Sequence, residues 1–201
     1  TATSGIGDGS DGSFDVDKID ELITFGDITA AIIVNGASGE SVTIGTISCA
    51  GDLKGQVVAY DGAINEIQVG GAIVIDSKPV QEAEIAAESI GLVQAASIVG
   101  HSEIAATVEG SPLGAIGRIE TTSTAAFVAN IAAGSFCGST GGVFIGGDLD
   151  GQIYVNSPLT KPIHIGGSFG SASTIEIVGD ANDENALQAQ VIGNQGNGVG
   201  E

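Results

Sequence analysis

Apolar residues recur at alternate positions in short runs along the chain, as in Ile67-x-Val69, Ile73-x-Ile75, Ile163-x-Ile165 and Ile175-x-Ile177, each flanked by Gly, Asp, Asn or Ser. Period-two runs bounded by turn residues predict short strands with one face inward. A strand of three or four residues cannot bury that face alone, so it needs neighbours of the same kind stacked on it.

The sequence supplies such neighbours by repetition. Gly51-Asp52-Leu53-Lys54-Gly55-Gln56-Val57 matches Gly147-Asp148-Leu149-Asp150-Gly151-Gln152-Ile153 at an offset of 96 residues, and the match runs without a gap to Ile73 and Phe169 with eight of 23 positions identical. A looser copy starts at Gly26-Asp27-Ile28. The Gly-led starts at 26, 51, 71, 147 and 167 lie 25, 20, 76 and 20 residues apart, which predicts a unit of about 20 residues stacked along one axis. The expected fold is all-β, a parallel β-solenoid of about eight such coils. It is expected over 22–180, after an acidic Gly/Asp-rich lead-in (1–21) and before a Gly/Asn-rich tail (181–201). A β-sandwich is the competing all-β fold, but it does not require a self-repeat. Residues 78–134 repeat less clearly, and Ile85-Ala86-Ala87-Glu88-Ser89-Ile90 is read as a degenerate coil rather than a helix. The expected inward ladder contains Ile44, Ile67, Val69, Ile73, Ile145, Ile163, Ile165 and Ile175.

Composition narrows the function. Five Lys and Arg stand against 25 Asp and Glu, for a net charge of −20, so no basic face is available for nucleic acid. Only eight aromatics occur, with no Trp or Met, which disfavours an aromatic-lined cleft and suits a narrow bore filled by small branched side chains. No apolar run is long enough to predict a membrane span. The opening Thr1-Ala2-Thr3-Ser4 fits either a mature form after signal cleavage or a cut fragment, and the mature secreted form is the favoured expectation. Cys49 and Cys137 form no C-x-x-C pair; they are 88 residues apart, about four of the expected coils, so no bond between them within one chain is expected.

The cadence Phe144-Ile145-Gly146-Gly147-Asp148-Leu149-Asp150-Gly151 and Ile163-His164-Ile165-Gly166-Gly167-Ser168-Phe169-Gly170 resembles the Gly-Asp and Gly-Ser punctuated β-helix repeats of large secreted bacterial surface proteins. That resemblance implies a right-handed parallel β-helix at the cell surface and carries no catalytic residues. A weaker similarity is to bactofilins, short β-helices that polymerise end to end in the cytoplasm, whose tighter repeat this chain lacks.

Candidate chemistry is sparse. Asp27, Asp52 and Asp148 occupy equivalent corners of their units. The favoured reading makes each a local turn acceptor of backbone N–H groups; the other has Asp27 and Asp52 stack on adjacent coils and share a Ca²⁺. The run Asp8 to Asp17 lacks the Gly and Glu of a calcium loop and reads as a solvated lead-in, and Asp180, Asn182, Asp183 and Glu184 read as a polar turn. A lyase needs a base beside cations, yet Arg118 is the one arginine. A glycosidase needs two spaced carboxylates with aromatic platforms, and beside Asp148 and Asp150 only Phe144 and Tyr154 are near. His164, between Ile163 and Ile165, is expected to point outward, and neither it nor His101 has a zinc partner at ligand spacing. The expectation is therefore a protein without enzymatic activity and without a bound cofactor other than the Ca²⁺ alternative. It is a secreted structural subunit that assembles with its own copies into an extracellular filament, sheath or surface layer. The competing class is a polysaccharide-binding or polysaccharide-cleaving β-helix protein.

Overall fold

In a computed structural model of the chain, the described residues are 13–35, 42–75, 85–100, 102–107, 114–178 and 191–193. Their regular elements are all strands: β1 (Ser13–Val16), β2 (Ile19–Thr24), β3 (Ala31–Val34), β4 (Val42–Cys49), β5 (Val57–Ala59) and β6 (Ala63–Ile75). There follow β7 (Ile85–Ala87), β8 (Ser89–Gly100), β9 (Ser102–Ala106), β10 (Ala115–Thr121), β11 (Ala129–Ala133) and β12 (Ser135–Phe136). The last are β13 (Gly142–Ile145), β14 (Gln152–Val155), β15 (Ile163–Ile165), β16 (Thr174–Ile177) and β17 (Val191–Gly193).

Apart from β12 and β13, which share a sheet, successive strands alternate between two parallel sheets, the sign of a chain winding round an axis. One sheet runs β1-β3-β5-β7-β9-β11-β14-β16; the other runs β17-β15-β13-β10-β8-β6-β4-β2, with β12 beside β10. A third, narrow face is drawn by the bridges Ile28–Leu53–Ile73 and Phe127–Leu149–Phe169 and by the ends of β6 and β8. The fold is the expected parallel β-solenoid. Ile85–Ile90 belongs to it as β7 and the start of β8. Strands also lie beyond 22–180: β1 and the start of β2 fall within 1–21, and β17 within 181–201.

The coils are not the expected uniform 20 residues. Ser13 pairs with Ala31, a step of 18, whereas Val57 pairs with Ile85, a step of 28. Fewer coils therefore fit between 22 and 180 than division by 20 suggests. Stacking constrains only the strands, and connections between them tolerate added length at small entropic cost.

The axis is filled by ladders of Ile, Val and Ala. Ile32, Val57, Ile85, Ile104, Ile131 and Ile153 lie along one sheet and Ile44, Ile64, Ile90 and Ile116 along the other, all essentially inaccessible. Seven of the eight expected core residues are buried; Ile175 is half-buried, because β16 ends its sheet among the described residues and no further rung covers it.

The second sheet also contains a repeat within the region that looked degenerate. Ile19-Asp20-Glu21-Leu22-Ile23-Thr24 is followed by IGTISC (44–49), INEIQV (64–69), IGLVQA (90–95) and IGRIET (116–121). The inward positions of the last four are the first, fourth and sixth, so each strand bends after its first residue. At that bend the coils approach closely: a Cβ on Gly91 would lie 2.2 Å from the Asn65 carbonyl oxygen and one on Gly117 2.2 Å from that of Gly91. A period-two search misses this signal because the bend inserts an extra outward residue.

Candidate functional site

The Gly-Asp corners sit where the second sheet turns into the narrow face. They hold coil to coil rather than locally. Asp27 Oδ1 accepts the Asp52 N–H at 2.9 Å, Asp52 Oδ1 accepts the Ala72 N–H at 2.9 Å, and Asp148 Oδ1 accepts the Ser168 N–H at 2.7 Å. The expectation of a local turn acceptor is corrected in this respect: partners are 25, 20 and 20 residues away, because a stacked coil presents its N–H directly over the carboxylate below.

This geometry explains the glycine that stands one coil above each aspartate. A Cβ on Gly51, Gly71 or Gly167 would lie 2.2, 2.3 and 2.1 Å from Oδ1 of Asp27, Asp52 and Asp148, respectively. The glycine of each coil therefore makes room for the aspartate of the coil beneath. Where the lower coil has Ala72 or Ser97 instead, the upper coil carries Ala96 or Ala125. Gly147 breaks the pattern for another reason, since its Cβ would meet the Ala125 and Thr124 carbonyl oxygens at 2.2 and 2.4 Å.

Asp27 and Asp52 do stack on adjacent coils, and the group between them is an ammonium. Lys54 Nζ lies 2.7 Å from Asp27 Oδ2 and 3.3 Å from Asp52 Oδ2. The hydrogen bond from Lys54, with that from the Asp52 N–H, holds the Asp27 carboxyl below its usual range, and the two carboxylates hold Lys54 above its own. At the C-terminal corner Asp150 stands in the place of Lys54 beside Asp148. Among the described residues no three His, Cys, Asp or Glu side chains group closely enough to hold a metal ion.

Cys49, buried beneath the N-terminal corner, directs its thiol at the carbonyl oxygens of Gly26 (3.2 Å) and Asp52 (3.4 Å). Burial pushes that thiol up, with backbone hydrogen bonds opposing. Cys137 is exposed and both cysteines are free. His164 is exposed, in register with Phe144. Arg118 is engaged on three sides: its Nε bonds Glu120 at 2.9 Å, its guanidinium lies 3.9 Å from the Phe144 ring centroid, and a terminal nitrogen donates to the Thr140 carbonyl. The ring contact ties β10 to β13, the Thr140 bond ties it to the turn before β13, and the Glu120 pair lies within β10. The runs Asp8 to Gly12 and Asp180 to Glu184, together with His101, lie outside the described residues.

Among the surface hollows formed by the described residues, two bear on the site. One, of about 420 Å³, follows the corner past Phe25, Ser48, Gln68, Gln94 and Thr122. The other, of about 320 Å³, lies on the outer face of β9, β11, β14 and β16 and is lined by Glu103, Asn130, Gln152, Tyr154, Thr174 and Glu176. Sequence reasoning reached Tyr154 only as a neighbour of Asp148. Its other partners come from three further coils of unequal length, so no fixed spacing joins them.

The structure thus defines a β-solenoid whose Gly-Asp corners are devices of coil stacking. Comparison of the chain with protein-family models, with curated proteins and with solved structures finds no match. No helix among the described residues is long and apolar enough to cross a membrane.

Proposed function

We propose that this chain is a non-enzymatic structural protein whose solenoids stack end to end into an extracellular filament, sheath or surface layer. The observation that carries this reading is the exposure of Phe169, the last rung of its ladder among the described residues. On the narrow face Phe127 and Leu149 are 0% exposed, whereas Phe169, next on the same ladder, is 47% exposed. Ile175 and Ile177 are half-buried beside it, and at the opposite end Val16, Ile19 and Leu22 are only partly buried. A second copy placed on that end would continue the parallel ladders and cover the same apolar surface, as an internal coil does. No amphipathic element caps either end among the described residues.

Charge sets the conditions. At −20 per chain copies repel, so contact needs neutral surfaces, salt that screens over about 8 Å, or Ca²⁺ bridging carboxylates at the Asp-rich turns. Placement outside the cell rests on the resemblance to secreted Gly-Asp repeats. The test is sedimentation velocity and electron microscopy of the protein and of Phe169→Asp, each with Ca²⁺ and with chelator. Concentration-dependent rods that the variant fails to form are expected. Monomers at high concentration in every condition would sink the proposal.

A further inference from the structure

The outer face of the first sheet carries a second surface that end-to-end stacking leaves free. Two ladders run side by side along it: Glu103–Asn130–Gln152–Thr174, and Ala132–Tyr154–Glu176, the second beginning next to the buried Ala105. Every rung of the first ladder presents an amide, a hydroxyl or a carboxylate. In the second, Ala132 leaves a trough that opens beside the half-buried Tyr154. Asn130 is fixed by accepting the Gln152 N–H through Oδ1 at 3.2 Å, which leaves its NH₂ group to donate outward.

We propose that this strip is a binding site for a neutral polysaccharide lying along the solenoid axis. Sugar hydroxyls both donate and accept, which matches a strip of two amides, a hydroxyl and two carboxylates, and the apolar face of a pyranose suits one aromatic ring. Charge decides against other polymers. The lining holds two carboxylates and no Lys, Arg or His, in a chain of net charge −20, so uronates, sulfated glycans and phosphates are repelled. Cleavage is not part of the assignment. Glu103 and Glu176 stand on rungs three steps apart, about 14 Å along the axis at the usual strand spacing, whereas a hydrolytic pair sits within about 5–9.5 Å.

The experiment is titration calorimetry of the full chain with cellohexaose, laminarihexaose and mannohexaose, and with oligogalacturonate as the anionic control. At least one neutral hexasaccharide is expected to bind. Tyr154→Ala should weaken that binding tenfold or more, and the exposed and conservative Glu176→Gln should weaken it measurably while leaving the circular dichroism unchanged. Tyr60→Ala, at an exposed aromatic outside the strip, should have no effect. The proposal is overturned if none of the three neutral sugars binds at millimolar concentration, if only oligogalacturonate binds, or if folded Tyr154→Ala and Glu176→Gln variants bind like the parent. Since the readout is on protein in solution, failure here leaves the assembly reading standing.

Discussion

The corners Gly51-Asp52-Leu53-Lys54-Gly55 and Gly147-Asp148-Leu149-Asp150-Gly151 share a backbone solution and differ in what surrounds it. In both, the aspartate accepts an N–H from the next coil, at 2.9 and 2.7 Å, and the leucine is 0% exposed. The N-terminal corner has an aspartate in the coil below and Lys54 clamped to both carboxylates. The C-terminal corner has Ala126 below and Asp150 where the lysine stood. Above the first, Ile73 is fully buried; above the second, Phe169 is 47% exposed. The shared part is thus what stacking demands, and the varied part sets surface charge and the character of the end.

The largest expected difference between the corners lies in their upper neighbours. Leu53→Asp buries an unpaired charge and should cost several kcal/mol, enough to unfold the chain. Phe169→Asp should leave the monomer's denaturation midpoint nearly unchanged and act on assembly alone. Chemical denaturation of both variants measures this, and equal losses would mean that the C-terminal end is as closed as the interior.

A smaller effect tests the rule that Gly makes room for Asp. Gly71→Ala should destabilise through its clash with Asp52 Oδ1 and with the Gly51 carbonyl oxygen, which lies 2.8 Å from the added Cβ. Adding Asp52→Ala should return part of that loss, giving a coupling energy of about 1 kcal/mol or more in a double-mutant cycle. Strict additivity would show that only the backbone clash matters. By itself, Asp52→Ala or Asp148→Ala should cost about 1.5–3 kcal/mol, as for a hydrogen bond to a charged group, while the corresponding Asn variants, which keep the acceptor oxygen, should lose less.

The smallest effects are electrostatic and distinguish the corners by pH. Asp27 has its folded pKa below the ordinary 3.8, so its contribution is present above that value and is lost as pH falls through the lowered one. Lys54 has its pKa above 10.5, so its contribution is present below that value and is lost as pH rises through the raised one. Lys54→Ala should therefore flatten both limbs of the stability profile by a small amount, as expected of an exposed pair. A Lys54→Ala profile that overlays the parent's would show that the pair contributes nothing to folding.

Particular residues show how far the chain can be read before it is folded. The alternation Ile163-x-Ile165 was legible because a strand's period is two wherever it runs straight. The bend after Ile44, Ile64, Ile90 and Ile116 hid an equally regular repeat, because one extra outward residue destroys that period locally. Coil length is hidden for a related reason: the clearest copies, with steps of 20 residues from Leu53 to Ile73 and from Leu149 to Phe169, are among the shorter coils. Of the candidate site residues, Asp27 and Asp52 were correctly stacked by their common place in the repeat. Their N–H partners were not, since a carboxylate's nearest donor in space was 20 or more residues away in sequence.

By itself the sequence determined the solenoid, the inward ladders of Ile and Val and the absence of a basic face, since these follow from local alternation, repetition and counting. Only the tertiary structure decided which coil each aspartate serves, that Lys54 lies between two carboxylates, that Phe169, the last described rung of its ladder, is half-exposed, and that Glu103, Asn130, Tyr154 and Glu176 share one surface. The physical reason is that coils of unequal length convert sequence distance into spatial neighbourhood by register, and register is set by the whole stack of strand pairings rather than by any one segment.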